Sequence, residues 1–233
     1  MDKCLDYNLE SNFEKAINMF ASEYSYDDLI SLLKQNEILE KQFAILNLEE
    51  IKSIEDAKLF CSNLVGQDGK IREATAFKLS EFFDNKKFST YFELEDNYKI
   101  MIKGLTDING NVCRSILEIQ SDEFNKFLAK NLPEKTIQIL KEIELLTEED
   151  KQYVISKRNF QLYWALEGIF KVSNLISFDE IKDILTKTSS FDDYTIREKS
   201  AKILSRYNTK DAQELKSKLS KDENCYVSRH LCL

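Results

Sequence analysis

Apolar residues return at the three- and four-residue intervals of an α-helix in one segment of the chain after another. In residues 12–21, NFEKAINMFA, the residues Phe13, Ala16, Ile17 and Phe20 share one face of a predicted leading helix, expected to cap the exposed end of the first repeat. Residues 71–82 carry an inner stripe of Ile71, Ala76, Leu79 and Phe82 that can pack on a partner helix. Residues 121–132 and a segment from Pro133 onward read as separate helical pieces, because a proline suits a first helical turn, where its missing N–H is not needed. The most aromatic stretch is NFQLYWALEGIFKV, residues 159–172. There Phe160, Tyr163, Trp164 and Phe170 share a face, while Leu162, Leu166 and Ile169 form a second one. Such a helix is either buried nearly all round or offers an aromatic wall on which a peptide could anchor.

Helix starts are marked by chemistry. Ser25, Ser53 and Ser177 each precede an acidic residue three positions on, Asp28, Asp56 and Glu180, the pattern of an N-cap or capping box. These acids therefore read as caps that also meet the positive end of the helix dipole, not as catalytic dyads. Each start is followed by the isoleucine of a second helix, at Ile38, Ile71 and Ile196. Around two of these the chain repeats itself. Asp68, Ile71, Arg72, Glu73, Ala76, Leu79 and Ser80 match Asp193, Ile196, Arg197, Glu198, Ala201, Leu204 and Ser205. A looser copy lies at 96–119, with Val112 or Cys113 at the place of Ile71 and Arg114 near that of Arg72, after an insertion at 84–95. Val227-Ser228-Arg229 marks a last one.

A loop aspartate followed by Ile-Arg, a small pair (Thr75-Ala76, Ser200-Ala201) and a leucine resembles the second helix of a HEAT repeat. The resemblance implies an all-α fold, a right-handed α-solenoid of about six stacked antiparallel helix pairs. The chain, 1–233, then forms one repeat domain. Its leading helix is 12–21, and its repeats run approximately 25–51, 53–84, 96–119, 121–173, 177–207 and 209–233. It further implies that Asp68 with Arg72, and Asp193 with Arg197, make a polar ladder between repeats, to which Arg114 and Arg229 would belong.

Composition agrees with helices. Five glycines and one proline are too few for the turns of a β-rich fold of 233 residues. The net charge of −8 argues against capture of nucleic acid, which rests on a surplus of Lys and Arg, and suits a basic partner. No stretch approaches a membrane span, and the N-terminus has no apolar secretion signal. Five cysteines at scattered positions (4, 61, 113, 225, 232) do not form a disulfide framework, so a reducing cytoplasm is expected. One histidine, His230, cannot build a di-iron centre of several His-Glu pairs. Cys225, His230 and Cys232 lack a fourth ligand, and buried, inert thiols explain the cysteines with fewer demands. Asp107, Asn109 and Asn111 touch the calcium-loop pattern, yet the required glycine is misplaced, and an Asn-Gly turn capping the next helix explains them. Neither a metal nor a cofactor nor a catalytic residue is expected.

Two functions suit this architecture. The first is a non-catalytic scaffold that holds a protein or peptide on its curved inner face, with Phe160, Tyr163, Trp164 and Phe170 as the anchoring residues. The alternative is an enzyme, since phycobilin lyase subunits and alkylpurine DNA glycosylases are also HEAT-like; for the latter the acidic charge is a poor match. The apolar end, HLCL, predicts cover by the chain's own packing, by a second copy or by a partner.

Overall fold

The computed structural model describes residues 9–35, 37–66, 68–147 and 149–231. Every regular element among them is helical: α1 (Leu9–Phe20), α2 (Tyr26–Lys34), α3 (Ile38–Asn47), α4 (Ile54–Ser62), α5 (Gly69–Asp84), α6 (Lys86–Phe92), α7 (Glu95–Leu105), α8 (Gly110–Glu118), α9 (Asp122–Glu144), α10 (Gln152–Lys171), α11 (Phe178–Thr188), α12 (Tyr194–Leu204), α13 (Lys210–Leu219) and α14 (Cys225–Ser228).

These helices stack in series. The first helices α2, α4, α7, α9, α11 and α13 touch one another in one row, and the second helices α3, α5, α8, α10, α12 and α14 in another. The result is an α-solenoid. At four of the five junctions, consecutive second helices meet over more residues than the matching first helices do. The stack therefore bends toward the second-helix row, which is its inner face.

Local chemistry sets each helix start. Ser25 with Asp28 and Ser177 with Glu180 close full capping boxes, and the bonds from the capping serines hold both carboxyls below the usual carboxylate range. Ser53 also caps α4, but the Asp56 carboxylate accepts from the Tyr26 hydroxyl at 2.8 Å, tying α2 to α4. Second helices start on Asp68, Asn109, Asp193 and Asn224, whose side chains accept from backbone N–H groups of the first turn.

Burial then joins the rows. Phe60, Phe92 and Phe124 are fully buried between them, and Ala76 and Ala201 lie at seams with no exposed surface. Gly168 allows the tightest approach, since a Cβ there would stand 2.6 Å from Leu132 Cδ2 and 2.8 Å from Leu105 Cδ2.

Two expectations need correction. Pro133 does not open a helix; it lies inside the continuous, 23-residue α9. Burial of Leu128, Leu132, Pro133 and Thr136 against neighbouring helices outweighs the one backbone bond a proline forfeits. The leading helix exists, but its predicted apolar face does not cover the first repeat. Phe13, Ile17 and Phe20 are exposed, Met19 is the residue buried, and Lys15 pairs with Glu37 and Glu40. Of this face, Phe20 still meets Phe43 edge-on at 5.3 Å, and Ala16 is half-buried.

Candidate binding surface on the inner helix row

Toward the N-terminal end, α3, α5 and α8 enclose a groove of about 600 Å³. Its floor carries Phe77, 53% exposed, and Leu46, 47% exposed, on neighbouring helices. Exposed apolar side chains occur singly on any surface; two in one concavity are what a binding surface offers. One wall is prearranged, because Glu73 accepts from Asn109 Nδ2 at 3.1 Å and from Asn111 Nδ2 at 2.7 Å. One turn further along α8 the groove holds Arg114, exposed and without an ion pair among the described residues.

Arg114 is thus not a ladder residue, and the ladder itself differs from expectation. Asp68 and Asp193 are spent as N-caps. Arg72 instead reaches the next repeat, donating to Asp107 through Nε at 2.7 Å and through Nη2 at 3.0 Å, while its Nη1 donates to the Gly66 carbonyl at 2.8 Å. Arg197 does the same with Asp222 at 2.7 and 3.2 Å and with the Phe191 carbonyl at 2.8 Å. Both carboxylates also accept from a backbone N–H two residues on, at Asn109 and Asn224. One N-cap-anchored Asp-x-Asn loop is therefore clamped twice. In the receiving repeats the arginine position is filled by Cys113 and Ser228, so each clamp ends after one step. Arg229, one residue later, pairs with Glu198 at 2.8 Å and does link α14 to α12.

The four aromatic residues proposed as one wall separate into two sets. Phe160 and Trp164 approach the start of α8, where a Cβ on Gly110 would lie 3.4 Å from Phe160 Cζ and 3.9 Å from Trp164 Cζ2. These rings fill the one junction where the second helices stand apart, between α8 and α10. Trp164 Nε1 is buried there without a hydrogen-bond partner among the described residues. Tyr163 and Phe170 face α12 and lie under its cations: Lys199 Nζ is 4.6 Å from the Tyr163 ring, and Phe170 is covered by Lys202 at 4.2 Å and Arg206 at 4.9 Å. Periodicity placed all four on one face, but the two neighbours of α10 claim them differently.

Charge is dense at this second set. Glu167 accepts from Lys199 at 2.6 Å and Lys202 at 3.0 Å. Burial alone would raise its carboxyl, yet the bonds and charges of the two lysines hold it below the usual range. Nothing in the heptad-like spacing of α10 announces this triad. Lys171, at the end of α10, is a different case: its ammonium donates to the Leu117 carbonyl at 2.6 Å and to that of Ile119, closing the C-terminus of α8. Burial brings its pKa down to about 8. The folded chain thus releases this proton near pH 8 and the unfolded chain near the ordinary 10.5. Between these values the unfolded state binds more protons, so this group makes stability rise with pH. Wild type should gain on Lys171→Met across that window in paired urea titrations; a constant difference would show that the amine is not desolvated.

The remaining candidate chemistry is absorbed by structure. Asp107 serves Arg72 and Asn109 caps α8, which accounts for the calcium-like loop. His230 Nε2 lies 3.2 Å from Glu198. Cys61 and Cys113 are buried, and burial pushes the Cys113 thiol up to about 12; Cys225 is exposed, which corrects its expected burial. Cys4, Cys232 and the terminal Leu233, with the predicted cover over that end, lie outside the described residues. Among the described residues no three His, Cys, Asp or Glu side chains could hold a metal ion together, and no helix is long and apolar enough to cross a membrane.

No family model matches the sequence, and no curated protein does. Among solved structures the chain is similar to the crystal structure of an engineered protein, with a TM-score of 0.47 and 15% identity over 90% of this chain and 94% of the other. It is also similar to a designed armadillo repeat protein, with a TM-score of 0.45 and 11% identity over 89% and 97% of the two chains. The solenoid architecture stands on this chain's own helix order and contacts.

Proposed function

We propose that this protein is a non-catalytic scaffold whose inner helix row holds an extended segment of a partner protein. Within the solenoids we group it with HEAT-like repeats, on the strength of its two-helix units and its Arg-to-Asp clamps between successive loops. A reducing, cytoplasmic setting suits the free cysteines among the described residues, Cys61, Cys113 and Cys225.

The observation that carries this reading is the groove across α3, α5 and α8, where Phe77 and Leu46 remain exposed beside the unpaired Arg114. An apolar anchor flanked by a cation and by fixed amide groups can take a side chain and orient the backbone that bears it. Peptides should be selected by display on the immobilised chain and their affinities measured by fluorescence polarisation. Phe77→Asp should weaken the selected peptides by about tenfold, equivalent to about 1.4 kcal/mol, with unchanged thermal unfolding because the ring is half exposed. Full affinity of every selected peptide for that variant would refute the groove as the binding surface.

A further inference from the structure

The two copies of the repeated segment share their clamp arginine and their buried Ile, Ala and Leu but differ in charge at three positions on and just after the helix. Aligned on their clamps, Ala74, Phe77 and Glu81 of α5 stand where α12 and the turn after it carry Lys199, Lys202 and Arg206. At these positions the N-terminal half thus has two groove residues, Ala74 and Phe77, and the acid Glu81, whereas the C-terminal half has three cations, of which Lys199 is buried and Lys202 and Arg206 reach the surface. Lys199 and Lys202 share the single carboxylate of Glu167. Arg206 has no carboxylate partner among the described residues, although it lies against Phe170. One helix further, Arg229 lies 4.7 Å over Tyr226 and meets Glu198, which also faces His230. Four cations, Lys199, Lys202, Arg206 and Arg229, therefore stand against two carboxylates, Glu167 and Glu198, in a chain whose total charge is −8.

Occupancy decides the sign of the ligand. Both carboxylates already pair with cations of the chain, Glu167 through both oxygens and Glu198 through Oε1, so a basic segment would have to compete with those cations for them. An acidic one would find the open donors of Arg206 and the spare hydrogens of Lys202, one helical turn apart and held in place by packing on Phe170. Glu167 and Glu198 are set among these cations, which disfavours a nucleic-acid strand with its unbroken series of phosphates. A peptide carries its charges at intervals and can avoid them.

We infer that the α10–α12–α14 part of the inner face binds a segment rich in aspartate and glutamate, and so selects an acidic partner rather than the basic one that the total charge suits. This rests on the reading that the inner row holds a partner chain, and it names the chemistry of the segment that the C-terminal half receives.

The test uses the full chain and three fluorescein-labelled peptides of equal length: oligoglutamate, oligolysine and oligoserine, each with one central tryptophan. Oligoglutamate should bind in a salt-sensitive manner, and oligolysine and oligoserine should bind at least tenfold more weakly. Lys202→Gln with Arg206→Gln should cost the oligoglutamate tenfold or more. Arg206→Glu alone, at an exposed position, should do the same without disturbing Glu167. Lys103→Glu with Lys141→Glu, on the outer groove between α7 and α9, alters more charge and should leave the affinity within about threefold. Equal or tighter binding of oligolysine, an equal loss from the outer variant, or equal competition by oligothymidylate would each overturn the inference. Failure here with Phe77-dependent peptides intact removes only the acidic selectivity; loss of both dependences removes the scaffold reading as well.

Discussion

Arg72→Ala is expected to destabilise the fold by about 3–5 kcal/mol, the range for stripping one partner from a buried ion pair. The side chains of Arg72 and Asp107 are 8% and 11% exposed, and the pair is bidentate, so its loss strands a carboxylate between two repeats. Asp107 retains the bond from the Asn109 N–H at 2.8 Å, which offsets part of the loss and argues for the lower half of that range. Urea unfolding of the variant measures the cost. A change below about 1 kcal/mol would mean that the clamp behaves like a surface pair and that apolar contact alone sets the register of the repeats.

The second clamp adds a pH signature. Arg197 holds the Asp222 carboxyl below its ordinary range, chiefly through their hydrogen bonds. For an acid with a depressed folded pKa, the stabilisation is complete above the unfolded value of about 3.9 and is lost as pH falls through the folded value. The gap between wild type and Arg197→Ala should accordingly be widest at neutral pH and narrow below about pH 4. A gap that stays constant down to strong acid would show that the guanidinium is held by the Phe191 and Asp192 carbonyls rather than by the carboxylate.

Phe92→Ala should be comparably severe, at about 3–5 kcal/mol, although Phe92 belongs to the insertion that interrupts the repeat period. A helix added between two repeats could be a surface appendage. Here it is not: Phe92 has no exposed surface and meets Phe60, Phe82 and Phe83 at 6.1, 5.6 and 5.9 Å. The ring completes an aromatic cluster between α4 and α5, and its removal leaves a cavity that Phe60 and Phe82, themselves buried, cannot close. Tyr91, its half-buried neighbour, should cost far less on truncation. If the two substitutions proved equal, α6 would have to be regarded as merely tethered.

Periodicity and capping chemistry were sufficient to read a serial stack of helix pairs. Ser25, Ser53 and Ser177 announce first helices, and Asp68 and Asp193 announce second ones, because a cap is a contact within four residues and needs no knowledge of the fold. The clamps were half legible. Arg72 and Arg197 stand out as repeated, but the HEAT resemblance pairs them with the aspartates nearest in the chain. Their true partners, Asp107 and Asp222, lie 35 and 25 residues away. A signal was present in the shared Asp-x-Asn-x-x-Val of residues 107–112 and 222–227, yet nothing short of the stacking of adjacent loops says that its aspartate meets an arginine.

The binding surface was less legible still, for a reason seen in α10. Helical spacing groups Phe160, Tyr163, Trp164 and Phe170, but α8 and α12 approach from different sides, so two rings become spacers and two become platforms for cations. The groove anchors Phe77 and Leu46 carry no signal in the sequence because, on an inner stripe or off it, an apolar residue reads alike until the neighbouring helix is placed. Alone, the chain specified what depends on near neighbours: helix type, helix starts, the copied unit and the serial order of pairs. The tertiary structure decided which charges meet, which aromatic rings stay open and where a groove lies, because each of these depends on how adjacent repeats approach one another, a distance that no local spacing encodes.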